Sequence, residues 1–100
     1  MIKVEVTPAA VRSMVRQVDY LSERASPETA CKWNASVIEA INSLAQLPER
    51  GAFRRSSDSK HNGVRWIFVH NFPTYQIFYR YLKAEEKVRV IDIFHGSRNP

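Results

Sequence analysis

Residues 1–6 alternate in polarity. Ile2, Val4 and Val6 share one side, Lys3 and Glu5 the other, which predicts a short half-buried strand. Thr7-Pro8 then reads as an N-cap followed by proline in the first helical turn. Val11, Met14, Val15, Val18 and Leu21 form the apolar stripe of an amphipathic helix, with Arg12, Arg16, Asp19 and Glu23 opposite. Ser26-Pro27-Glu28 repeats the start signal. Trp33, Val37, Ile38, Ile41, Leu44 and Ala45 continue at helical spacing until Pro48 and Gly51 intervene. Two helices are predicted, over 8–24 and 27–46. The near absence of a linker makes them an antiparallel hairpin.

Residues 52–63 are polar and aperiodic, and are read as a loop. Three β-rich runs follow: Val64 to His70, Tyr75 to Leu82 and Lys87 to Phe94, with a turn cluster at Asn71-Phe72-Pro73-Thr74. Strands this close in sequence pair as hairpins, because a parallel crossover needs a dozen or more residues. The fold class is α+β with the order β-α-α-β-β-β. A helical hairpin packs on one face of a mainly antiparallel sheet, in a single domain over residues 1–100. The second and third β-runs are apolar on both parities: Tyr75, Ile77, Tyr79 and Tyr81 against Gln76, Phe78, Arg80 and Leu82. The hairpin covers one face only. The pattern therefore calls for a partner on the other, unless the aromatics there pack against arginine stems.

Composition adds little to this picture; charge adds more. With 44% apolar and 25% charged residues the chain reads as globular, and its longest apolar run, Trp66 to Val69, is far short of the roughly 20 residues that span a bilayer. The N-terminus lacks the apolar core of a signal peptide, and a single cysteine, Cys31, forms no internal disulfide; both point to the cytoplasm. The net charge is +5, and all of the excess falls in residues 51–100. A basic half of this kind faces nucleic acid or an acidic protein, or else serves as a solvated surface.

Candidate chemistry is sparse. The three glycines do not form a phosphate loop, and His61, His70, His95 and Cys31 lack metal-ligand spacing, so neither metal nor cofactor is expected. Cys31, two residues before Trp33, is read as a structural thiol. What remains is basic and aromatic: Arg54 and Arg55 in the loop, Arg65, Arg80 and Arg89 one in each strand, and Arg98 near the end. Tyr75, Tyr79 and Tyr81 are candidates for stacking on bases. His95 is either a general acid/base beside Arg98 or a strand-end histidine tied to backbone.

Residues 64–99 resemble the RelE/ParE superfamily of toxins from type II toxin–antitoxin systems. The resemblance rests on a central strand, Tyr75-Gln76-Ile77-Phe78-Tyr79-Arg80, and a closing box, His95-Gly96-Ser97-Arg98-Asn99. The family's element order is also the one derived above. RelE-like members cleave mRNA on the ribosome; ParE-like members are described as inhibitors of DNA gyrase. Gln76 stands where ribonucleolytic members typically have arginine, no tyrosine follows Tyr81, and the closing box is of ParE type. The resemblance thus implies a ParE-like gyrase inhibitor acting in growth inhibition and plasmid stabilisation, a binding protein rather than an enzyme. It implies neutralisation by a cognate antitoxin whose disordered segment wraps the toxin. Arg54, Arg55, Arg65, Tyr79, Arg80, Tyr81, Arg89, His95 and Arg98 are the expected target or antitoxin contacts. The alternative is a RelE-like, metal-independent endoribonuclease using Arg65, Arg80, His95 and Arg98. A double-stranded-RNA module is disfavoured, because that fold places a helix after its strands and here both helices come first.

Overall fold

The computed structural model describes residues 2–54 and 63–96. Strand β1 spans Lys3–Val6 and leads into helix α1 at Pro8–Arg24. Thr7 makes that junction. Its Oγ1 accepts from the Ala10 amide at 3.3 Å and donates to the Ile91 carbonyl at 2.9 Å, so one side chain caps the helix and ties it to the far end of the chain. Ser26 caps α2, Pro27–Ser43, by accepting from the Thr29 amide at 3.0 Å.

The sheet has five strands in the order β1-β5-β4-β3-β2. Here β2 is Ala52–Phe53, β3 Val64–Val69, β4 Phe72–Leu82 and β5 Lys87–His95. The last three form an antiparallel meander, and β1 adds to β5 in parallel. Phe78 faces Asp92 while Tyr79 faces Val90, which leaves Ile91 as a bulge in β5. The bulge presents the Ile91 carbonyl to Thr7.

Both helices cover one sheet face. Trp33, Val37, Ile41 and Leu44 of the second helical segment meet Ile67, Val69, Ile77, Tyr79, Val88 and Val90 of the sheet in a single core. A fully buried aliphatic side chain of this kind contributes about 1.5–3 kcal/mol. From α1 the fully buried residue is Ala10, which the apolar stripe does not include; Met14, Val18 and Leu21 are half-buried against the core.

Four expectations need correction. Helix α2 ends at Ser43 rather than at 46. The Leu44, Ala45 and Gln46 amides bond three residues back, to Ile41, Asn42 and Ser43, so the last turn tightens while Leu44 stays buried. The loop expected over 52–63 begins with a strand, because Ala52 and Phe53 pair with Trp66 and Arg65. Residues 55–62 of that loop lie outside the described residues. The cluster at 71–74 contributes only Asn71, in left-handed conformation, to the turn; Phe72, Pro73 and Thr74 extend β4. Cys31 is exposed rather than structural. No helix among the described residues is long and apolar enough to cross a membrane.

Candidate functional site

The expected contact residues that the structure describes divide between the two faces of the sheet. In a strand, successive side chains point to opposite faces. Tyr79 faces the helices and is 0% exposed. Its hydroxyl donates to the Pro48 carbonyl and accepts from the Gly51 amide, each at 2.9 Å. Burial pushes the phenol's pKa up from its ordinary value, against the lowering effect of the Gly51 amide. Arg65, paired with Tyr79 across β3 and β4, lies on the same side. It donates to the Glu49 and Gly51 carbonyls at 3.0 and 2.9 Å, and its guanidinium stacks 3.9 Å from the Phe53 ring centre. Tyr79 and Arg65 together fasten the segment after α2 to the sheet. Gly51 permits the close approach: a Cβ there would stand 2.6 Å from the Tyr79 hydroxyl.

His95 ends the same face. Its ring meets Tyr75 edge-on at 4.9 Å, and Tyr75 in turn meets Trp33 at 5.4 Å. Gln17 of α1 donates to the Tyr75 hydroxyl at 2.5 Å. Tyr75 and Tyr79 are core residues, so neither ring is presented to a base. Tyr81 is half-buried beside them.

The opposite face is open. Its register places Phe68, Gln76 and Phe94 in one row, Trp66 and Phe78 in the next, and Val64, Arg80 and Arg89 in a third. Leu82, Lys87 and Lys3 follow. The rings at one end touch: Trp66 lies edge-on to Phe68 at 4.9 Å, and Phe78 lies 5.2 Å from Phe94. Arg54 stacks over Phe78 at 5.0 Å. Phe78 is thereby only 5% exposed, while Phe68 is 52% exposed. At the basic end, Glu5 pairs with Lys87 at 3.3 Å and Arg89 at 3.1 Å, and these two partners lower its carboxyl pKa. The sequence-predicted pattern of apolar residues on both faces is therefore present, with arginine packing over Phe78 and an exposed Phe68 on the same face.

Arg65 and Arg80 thus stand on opposite faces, with His95 on the side of Arg65. Arg55 and Arg98 lie outside the described residues. Among the described residues, no three His, Cys, Asp or Glu side chains gather as a metal site requires.

A second surface was not anticipated. Between α1 and α2 runs an apolar groove of about 680 Å³, lined by Val11, Met14, Val15 and Val18 from one helix and Cys31 and Ile38 from the other. Val15 is 57% exposed in it, and Val11 and Ile38 are exposed as well. The signal for it lies in the sequence. Val11 and Val15 widen the α1 stripe beyond what one contact with the sheet can bury, and Ile38 sits beside the core position Val37.

The family model described as the ParE toxin of the type II toxin–antitoxin system parDE matches residues 4–100. No curated protein sequence matches the chain. Among solved structures, the chromosomal ParDE toxin–antitoxin system from P. aeruginosa superposes with a TM-score of 0.77 at 21% identity, covering 95% of this chain and 96% of the other. The RelBE2 toxin–antitoxin complex from Mycobacterium tuberculosis gives a TM-score of 0.66 at 21% identity, covering 94% and 96%. The intact E. coli RelBE complex gives 0.61 at 10% identity, covering 98% and 100%. At these identities the likeness is one of fold.

Proposed function

The chain belongs to the ParE toxin family of type II toxin–antitoxin systems, and from that premise we propose that it inhibits DNA gyrase and is neutralised by a cognate antitoxin. The match of the ParE model over residues 4–100 carries this reading. The alternative, ribosome-dependent cleavage of mRNA, needs a base for the 2′-hydroxyl, an acid for the leaving oxygen and cations for the phosphorane around one phosphate. Its described candidates do not share one face. Arg65 is committed to the Glu49 and Gly51 carbonyls on the helical side, whereas Arg80 faces away from the helices. That separation supports a binding protein over a nuclease.

The antitoxin is assigned to the groove between α1 and α2. An amphipathic segment placing apolar side chains against Val11, Val15 and Ile38 would remove the exposed apolar surface from water. The similar solved structures from P. aeruginosa and M. tuberculosis are toxin–antitoxin assemblies, which supports an antitoxin partner.

The test is a gyrase supercoiling assay with purified toxin, beside primer extension on mRNA after induction in cells. Loss of supercoiling with intact message is expected. Message cut in the ribosomal A site, with supercoiling unaffected, would replace the gyrase reading with the nuclease one. An adjacent short reading frame whose product restores growth identifies the antitoxin.

A further inference from the structure

We propose that the open sheet face binds single-stranded nucleic acid, with bases on the aromatic end and phosphates on the basic end. This goes beyond gyrase inhibition and holds or fails independently of it. The face combines two features that are seldom adjacent on a solvated sheet. Phe68 is 52% exposed, with half-buried Trp66 against it and half-buried Phe94 in the same row, and Phe78 is buried beneath Arg54. Immediately beside them, Arg80, Arg89, Lys87 and Lys3 line the same face. Among the described residues, Glu5 pairs with two of these cations, Lys87 and Arg89. Asp92, which pairs with Phe78 in the register, instead accepts from Ser13 of α1, so its charge is directed to the helical side.

The chemistry selects the occupant. Cations on one end call for an anion, and the exposed Phe68 ring beside them calls for a planar apolar group. A single strand supplies both at every nucleotide, because each base has a face that stacks on an aromatic ring. A duplex keeps its base faces stacked on one another and offers phosphates alone. An acidic peptide likewise neutralises the cations but leaves the rings without planar partners.

Trp66 supplies a direct readout, since Trp33 is fully buried and reports only on the fold. The full-length chain is titrated with labelled oligothymidylate and oligouridylate of about 10 nucleotides, within the ~4–16 that comparable platforms cover. Anisotropy and tryptophan emission are followed together. The expected dissociation constant is on the order of 1–100 µM near physiological salt. With about three phosphates neutralised, a fourfold rise in salt weakens binding roughly 20-fold. Trp66 emission is quenched on binding, and the quenching is absent in Trp66→Phe. Phe68→Ala weakens binding by about fivefold or more without changing the circular dichroism, and Phe68→Tyr restores it. Arg89→Gln lowers the salt dependence by roughly one phosphate's share. The two oligomers distinguish DNA from RNA as the source of the strand.

Three results would overturn the proposal. One is no anisotropy change with either oligomer in low salt. Another is a duplex of equal length that binds as tightly as the single strand. The third is a polyglutamate peptide that binds as tightly and quenches Trp66 as strongly, which would reassign the face to an acidic protein segment.

Discussion

Tyr79→Phe isolates a single hydroxyl, and its cost follows from the bonds that hydroxyl makes. The ring stays in the core, so the change deletes one oxygen without opening a cavity. Two hydrogen bonds disappear, one to the Pro48 carbonyl and one from the Gly51 amide. Gly51 is buried, so water does not readily replace the lost acceptor. A typical bond is worth about 0.5–1.5 kcal/mol net, and a buried donor left unsatisfied costs about 1–3 kcal/mol. The expected loss is therefore roughly 2–3 kcal/mol, a large share of the ~5–15 kcal/mol that holds a small domain together. For a domain of this size that lowers the melting temperature by roughly 10–20 °C.

The assay is urea and thermal unfolding followed by circular dichroism. Tyr81→Phe is the control: Tyr81 packs against the same core, and its hydroxyl makes no hydrogen bond among the described residues, so its loss should stay within about 0.5 kcal/mol. The pH dependence supplies a second, independent reading. The pKa of Tyr79 is raised in the folded state by burial. The phenol's contribution is then fully present below its unfolded value near 10 and is lost as pH rises toward the folded value. Wild type should lose stability above pH 10 more steeply than Tyr79→Phe. Equal stability of Tyr79→Phe and wild type, together with equal alkaline limbs, would refute the claim that this hydroxyl fastens the segment after α2.

Three further outcomes follow from the same geometry. Gly51→Ala places a methyl group against the Tyr79 hydroxyl and the Trp66 carbonyl, at 2.6 and 2.9 Å, and should destabilise by about 1–3 kcal/mol in urea unfolding. Glu86 sits in the left-handed region at φ 50°, so Glu86→Gly should raise the urea midpoint by the equivalent of up to about 1 kcal/mol, the relief of strain exceeding the added chain entropy. The Glu5 carboxyl is lowered by Lys87 and Arg89, so its contribution is present above the unfolded carboxylate value and lost as pH falls through the folded one; Glu5→Gln should flatten that acid limb in low salt and leave it unchanged in high salt.

How far the sequence carries the fold is clearest at the caps. Thr7-Pro8 and Ser26-Pro27 place both helix starts at the residues observed, because capping is decided by neighbours in the chain. The end of α2 was misplaced because Pro48 and Gly51 mark only where a helix has to have stopped. The earlier stop comes from three-residue hydrogen bonds that tighten the chain while Leu44 is held in the core. Strand β2 was invisible for a related reason: two residues carry no period, and Ala52-Phe53 becomes a strand only because β3 offers it an edge. Site residues divide in the same way. Strand alternation puts Arg80 on the face away from Tyr79, and pairing between strands brings Arg89 to the same face. Pairing with Tyr79 puts Arg65 on the helical side, where its two carbonyl partners arrive from the segment after α2. One arginine per strand therefore does not make one surface.

The basic end of the open sheet face and the exposed apolar groove lie on different parts of the molecule, and this separation has a consequence for neutralisation. On the proposed reading the antitoxin occupies the groove, whereas the rings and cations of the open sheet face belong to the toxin's own ligand. A charge placed in the groove should then free the toxin from its antitoxin without disarming it. Val15→Asp introduces a carboxylate at a position 57% exposed in the free chain, so the fold tolerates it. In the complex the same carboxylate is buried against apolar side chains, where an unpaired charge costs several kcal/mol. Each 1.4 kcal/mol is tenfold in affinity, so a loss of about 3 kcal/mol weakens the complex by roughly 100-fold. Cells carrying both genes should stop growing with Val15→Asp and survive with wild type. Phe68→Ala tests the other surface: if the sheet face serves the toxin's action, this variant should retain antitoxin binding and lose toxicity. Continued neutralisation of Val15→Asp, with antitoxin affinity unchanged in calorimetry, would move the antitoxin out of the groove and onto the sheet, making the two ligands competitors for one face.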